Sequence, residues 1–359
     1  MNKIFSRWFK RNFSNPQAVI LATLLTGGFL LIYLMGQILM PFLVALVLAY
    51  LLDWAATAME KRAVPRLVAV ITVFISFCTI SLLIIIGIIP LLGHQVESLF
   101  TDLPSMAANI QAKLLEIPEK YPDLVTKEQL ELVIQQLGGG LTNVGDLLVS
   151  FSLASFKNIV TIMIYMILVP LLVFFFLKDK STLLSWFARW IPNERQLSMR
   201  VWNEVDVQIG NYVRGKVVEI FLVGVVTYVC FVIFSLNYAV LLAVLVGLSV
   251  LVPYIGATLV TIPVALVGLI QFGTGDTFLY LMIAYLVIQA IDGNILVPLL
   301  FSETNNLHPV AIIAAVLFFG GIWGFWGVFF AIPLATLVVA VIAALDESKQ
   351  PDESEIELG

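Results

Sequence analysis

From Val217 to Ser348 the chain carries no lysine and no arginine. Ordinary soluble domains are about a quarter charged residues, so a stretch this long without a fixed cation is foreign to them. Over all 359 residues, 60% are hydrophobic and 12% are charged. Lipid contact explains such an excess of apolar surface better than a large core does. A bilayer leaves helices and closed barrels as the spanning structures. Long unbroken apolar runs select the helix, so the expected fold class is an all-α integral membrane protein.

A crossing helix needs about 20 apolar residues. On that measure there are about eight segments, at 17–36, 38–57, 67–92, 151–177, 217–236, 239–271, 277–300 and 308–345. Gly36 and Pro41 mark a quick turn between the first two. Basic residues set the orientation. Lys3, Arg7, Lys10 and Arg11 precede the first segment, Lys61, Arg62 and Arg66 follow the second, and seven more lie from Lys178 to Lys216. These stretches are expected in the cytoplasm, and an even number of crossings returns the C-terminus there. The stretch 94–150 has three lysines against eight acids and is expected outside. The first apolar run is longer than a signal core and no small-x-small site follows it, so it reads as a retained span.

The expected organisation is a basic cytoplasmic N-terminus (1–16), three membrane segments (17–92), an extracytoplasmic helical segment (93–150), a membrane segment (151–177), a cytoplasmic amphipathic segment (178–216), a C-terminal core (217–345) and an acidic cytoplasmic tail (346–359). Within the outer segment, Leu130, Val133, Ile134 and Leu137 fall at helical spacing, ahead of Gly138, Gly139 and Gly140. Pro104, Pro118 and Pro122 are expected to cut the rest into short pieces. Trp186, Arg189 and Trp190 suit the headgroup level. The tail is too acidic and too poor in apolar residues to pack.

The segments 239–271 and 308–345 are far longer than one crossing. Each has breakers near its middle: Pro253, Gly256 and Pro263 in one; Gly320, Gly321, Gly324, Gly327 and Pro333 in the other. Shifted by 70 residues, Ile262-Pro263-Val264-Ala265 falls on Ile332-Pro333-Leu334-Ala335. Paired interrupted segments point to a transport site, because exposed backbone survives only inside protein or beside a water-filled cavity. Glycines three apart would also serve close helix packing. The pattern predicts a C-terminal transport core of two related broken-helix units. They are either re-entrant hairpins or long tilted spans.

Nothing here spells catalysis. There is no nucleotide-binding loop, no H-E-x-x-H, no C-x-x-C and no G-x-S-x-G. Two histidines, His94 and His308, are too few for a His-rich metal site. Cys78 and Cys230 lie in apolar runs as small hydrophobes. A net charge of −5 offers no stripe for phosphates, so nucleic acid is excluded as a partner. The expectation is no enzyme, no cofactor and no resident metal.

What remains is Asp292, well inside an apolar segment, in "QAIDGNILVP". An ionisable residue there is a functional candidate by default. Gln289 shares its helical face, and Asn294 does so only if Gly293 bends the chain. Asp292 could be neutral, could hold a mobile cation or proton, could cap a half-helix, or could pair with a distant base such as Lys157. The cap or hydrogen-bond role ranks first. Glu219 reads as an interfacial ion pair with Arg214 or Lys216. The candidate transport-site residues are Asp292, Gln289, Asn294, Pro253, Gly256, Gly324 and Gly327.

With "AYLLDW" (49–54), "FFLKDK" (175–180), "NYVRGK" (211–216), "VPYIGA" (252–257), "QAIDGNILVP" (289–298), "LHPV" (307–310) and "GFWGVFFAIPLAT" (324–336), the chain resembles the AI-2E family of bacterial inner-membrane proteins, especially its PerM-type branch. The resemblance runs from about residue 15 to residue 345. It implies a multi-pass, gradient-driven permease in the bacterial inner membrane, with a homo-oligomeric assembly among its expected forms. Its substrate would be a small exported signalling or polar solute. A sodium or lithium/proton antiporter, using a monovalent cation, is the second transport reading. A scaffold that docks partners on 94–150 and 178–216 is the third.

Overall fold

The computed structural model describes residues 16–120, 159–189, 196–253, 255–301 and 307–347. Among these residues every regular element is helical. Among the described residues six helices are long and apolar enough to cross a membrane: Ile38–Glu60, Arg66–Met106, Thr161–Lys178, Asp206–Ile233, Ile255–Phe272 and Asp276–Phe301. Two further apolar helices, Ala239–Ser249 and Pro309–Trp323, are shorter. The expected eight separate segments are therefore redistributed.

The first redistribution is at the N-terminus. Segments 17–36 and 38–57 are one helix, α1 (Pro16–Glu60), and no turn forms at Gly36 and Pro41. A proline inside a helix costs one backbone bond, which membrane helices tolerate when neighbours support them. Pro41 is buried, whereas a Cβ on Gly36 would meet open space, so neither residue directs the chain to turn.

Helix α2 (Arg66–Leu83) passes through a π turn at Ile84–Ile88 into α3 (Ile89–Lys120). Helix α3 runs straight through Pro104 and Pro118, so that part of the outer stretch is not cut into pieces. Contacts downstream support it. Gln95 Oε1 accepts from the Leu241 N–H at 2.8 Å, and Asp102 Oδ2 accepts from the Tyr238 hydroxyl at 2.6 Å. The amphipathic pattern at 130–137, Pro122, Lys157, Trp190 and the tail beyond 347 lie outside the described residues.

Helices α1, α2 and α4 (Ile159–Lys178) pack through small side chains. Ala45, Ala49, Ala56, Ala69 and Val70 meet Val169, Val173 and Leu177. Small residues let membrane helices approach closely, where no hydrophobic force separates helix from lipid. One end of this bundle is fastened by charge. Arg66 bonds Asp53 at 2.6 Å, Glu60 at 2.8 Å and the Leu177 carbonyl at 2.9 Å. Lys180, at the start of α5 (Lys180–Ala188), reaches the other Asp53 oxygen at 2.6 Å. The basic stretches after α1 and after α4 thus lie at the same end.

The second half is built on α6 (Gln196–Ile233), which runs unbroken through the boundary expected at 216–217. Tyr50 of α1 ties to it by donating to the Asp206 carbonyl at 2.9 Å. Helix α7 (Ala239–Ser249) folds back on α6 at a near-backbone crossing. A Cβ on Gly247 there would lie 2.8 Å from the Ile220 carbonyl oxygen. After a break, α8 (Ile255–Phe272) returns. Gln271 near its end donates to the Ser235 carbonyl at 2.8 Å and accepts from the Asn237 N–H at 2.7 Å. The unit 239–271 therefore begins and ends at the same end of the bundle, as a helical hairpin rather than one tilted span.

Helix α9 (Asp276–Ile291) leads through a π turn at Asp292–Leu296 into α10 (Val297–Phe301). The second overlong segment is also broken: α11 (Pro309–Trp323), α12 (Phe325–Phe329) and α13 (Ala331–Glu347). Gly324 has φ 59° and ψ −134°, a conformation that only glycine adopts easily. Ala331 returns to pack on Ala315, Val316 and Phe319 of α11.

Candidate functional site

The two breaks meet. Leu251 of the first packs with Phe329 and Ile332 of the second, in one cluster with Tyr212, Val213 and Phe301. Val252 packs against the cluster of Phe319 and Ala331. Each break uses a glycine for the same steric reason. A Cβ on Gly256 would collide with the carbonyl oxygen of Ser249, and one on Gly327 with that of Phe319. Ser249 and Phe319 stand 70 residues apart, the shift seen in the sequence. Pro253 lies within the first break itself, half-buried, its carbonyl accepting from the Ile255 N–H at 2.7 Å.

At this junction lies a buried charge cluster. Lys216 of α6 is 4% exposed and Glu219, one turn on, is 1% exposed. Their ion pair measures 2.8 Å. Lys216 Nζ also donates to the Val250 carbonyl at 2.7 Å, at the point where α7 ends. Its ammonium stands 5.3 Å from the centre of the Phe301 ring. Glu219 is therefore not the interfacial residue expected from sequence. It is paired with Lys216, as one expected alternative had it, but inside the protein.

Asp292 is 9% exposed and lies within electrostatic range of both Lys216 and Glu219. Its Oδ1 is buried without a hydrogen-bond partner among the described residues. The Tyr212 hydroxyl is in the same condition. The cap role for Asp292 does not hold. It continues the helix in the αR conformation, and no cap bond from its side chain forms. The physical reason is that the chain does not unwind at Asp292-Gly293-Asn294. It widens into a π turn, a local form often found at functional sites, and keeps its backbone bonded.

The other candidates separate into two groups. Gln289 joins a polar chain between α8 and α9: its amide donates to the Tyr285 hydroxyl at 3.1 Å, and that hydroxyl meets Thr261 Oγ1 at 3.1 Å. Gln289 and Thr261 line an open, mostly apolar groove of about 630 Å³ between those helices. Asn294 is exposed and bonds back to the Ala290 carbonyl at 2.8 Å, away from Asp292. Gly324 is exposed at the second turn, while Gly256 and Gly327 are buried at the junction.

Sequence reasoning named Lys216 as a possible partner of Glu219 but did not count it among the site residues. It is the last cation before the stretch without lysine or arginine, so it reads as the edge of a loop. The signal that could have found it is Glu219 at i+3, an acid placed on the same helical face just inside an apolar run.

Comparison with known proteins places the chain among transporters. The model of the AI-2E family transporter matches residues 20–347. PerM of Escherichia coli K12, named as a permease, is 45% identical over 353 residues, covering 98% of this chain and 100% of PerM. YueF of Bacillus subtilis 168, named as a transport protein, is 25% identical over 84% of this chain and 82% of its own. YhhT of Escherichia coli K12, also named as a transport protein, is 23% identical over 85% and 84%.

Proposed function

Since this chain belongs to the AI-2E transporter family, we propose that it is a gradient-driven permease of the bacterial inner membrane that exports a small polar or signalling solute past the junction of its two broken hairpins. One observation carries the reading. Two helix breaks from separate parts of the sequence converge on a buried Lys216–Glu219 pair and on the unpartnered Asp292. Broken helices that meet beside polar groups are the architecture of gradient-driven transport sites. Ionisable groups are costly within a membrane, so those kept there mark function. In this reading the end holding Arg66 and Lys180 faces the cytoplasm, by the excess of basic residues there.

The test is accumulation of autoinducer-2 outside cells that express the wild type or Asp292→Asn at equal membrane levels. Export predicts a raised external level with the wild type and none with the variant. Equal accumulation by both would remove Asp292 from the site. Cation-driven proton movement in liposomes that vanishes with Asp292→Asn would replace export by antiport.

A further inference from the structure

The first helix break already holds a cation, and it is covalent. In broken-helix transporters, the carbonyls of an unwound segment and a nearby acid provide a place for a monovalent metal ion. Here that combination is filled by a side chain. The ammonium of Lys216 takes the Val250 carbonyl at 2.7 Å and the Glu219 carboxylate at 2.8 Å, and faces the Phe301 ring at 5.3 Å. Gly215 permits the last contact, since a Cβ there would lie 2.7 Å from a Phe301 ring atom. Lys216 is 4% exposed, so its ammonium is almost wholly enclosed by protein.

We infer that Lys216 is a tethered substitute for a bound metal cation, a positioning residue that holds the first hairpin closed against α6 without sodium or any other ion. A flexible stem explains the choice of lysine. A point charge can swing off the carbonyl without leaving the protein, so the hairpin keeps a way to open that needs no ion to dissociate. The two ligands lie on different elements, Val250 at the break and Glu219 on α6, so losing the ammonium unties one from the other. The inference concerns the resting hairpin and needs no cargo, so its failure would leave the export reading standing.

The experiment uses the full chain in detergent, with Cys78→Ser and Cys230→Ser, and one reporter, Val252→Cys, at the break. Thiol labelling is timed in choline, sodium, lithium or potassium chloride at equal ionic strength. With Lys216 present, one slow rate in all four salts is expected. Lys216→Ala should label several-fold faster in choline and slow again in sodium or lithium, as a small cation enters the vacated place. Slower labelling of the lysine-containing protein in sodium than in choline would overturn the inference. So would a Lys216→Ala protein that labels like its parent, or one that opens and is not slowed by any metal cation. If Lys216→Ala does not fold, Lys216→Gln, one atom shorter than lysine, keeps a donor without the charge, and the same outcomes decide.

Discussion

Lys216 and Val250 stand 34 residues apart and are joined by a 2.7 Å hydrogen bond from the ammonium to a main-chain carbonyl. The bond fastens the end of α7 to the middle of α6, and Glu219 fixes the ammonium that makes it. A buried pair of this kind is costly to halve. Removing one partner leaves the other charge buried and unpaired, typically at about 3–5 kcal/mol, whereas replacing both with apolar groups is often neutral. Glu219→Leu is therefore expected to lower the unfolding midpoint in micelles more than Lys216→Met/Glu219→Leu does. A double variant that simply sums the two single losses would show that the residues do not act as a pair.

The glycines make a second prediction by contrast. Gly256→Ala and Gly327→Ala drive a methyl group into a main-chain carbonyl that cannot rotate away. Overpacking in a closed core costs about 1–3 kcal/mol, and a backbone collision lies at the upper end. Both variants should lose folded yield, measured as monodisperse protein after extraction. Gly293→Ala and Gly321→Ala, where a Cβ meets nothing within 4 Å, should match the wild type. Equal yields from all four would mean that the breaks do not depend on these close approaches.

The pattern of success in reading the sequence has a physical cause. Membrane segments are legible because lipid enforces composition over about 20 residues at a time. The two breaks are legible because glycine and proline punctuate apolar runs that are too long to cross once. Asp292 stands out as a charge out of place. What the sequence does not display is pairing. Nothing local says that α1 continues through Pro41, since that depends on which neighbours support the turn. Lys216 looks like a loop residue until Val250 arrives to meet it, and that meeting exists only after α7 folds back through Gly247. The family motifs show the same thing. Asp53 in "AYLLDW" and Lys180 in "FFLKDK" form one network, while Lys216 in "NYVRGK" meets the break that contains "VPYIGA". Each motif is half of a contact.

Tyr238, between α6 and α7, supplies a pH-dependent prediction. Burial, then the hydrogen bond to Asp102 and its negative charge, push the Tyr238 hydroxyl up from 10.0 to about 12. The folded state thus keeps a proton that the unfolded chain releases near the ordinary value. The stabilisation is fully present below about pH 10 and is lost as pH rises towards 12. The unfolding midpoint should fall across that interval. Tyr238→Phe should start lower, because Asp102 loses its donor, and should lose less between about pH 10 and about pH 12. An identical alkaline slope in both proteins would show that Tyr238 is not the titrating group.

Tyr285 tests whether the polar chain beside the groove matters for more than stability. Its hydroxyl links Thr261 of α8 to Gln289 of α9, each at 3.1 Å, and its ring stacks on Phe231 at 6.2 Å between centres. Tyr285→Phe keeps the ring and removes the link. Hydrogen bonds between membrane helices average about 0.6 kcal/mol, because the partners find substitutes in the unfolded state. The loss of stability should therefore be small, on the order of 1 kcal/mol, for one bond between α8 and α9 and one within α9. The consequence for the groove should be larger, since Gln289 is released from its tyrosine partner and is free to reorient. Transport by Tyr285→Phe at wild-type membrane levels is expected to drop several-fold, while the unfolding midpoint moves by only a few degrees. A midpoint that collapses would make the chain a structural strut. Unchanged transport with an unchanged midpoint would remove Gln289 from the site and leave Asp292, Lys216 and Glu219 to carry the polar part of the path.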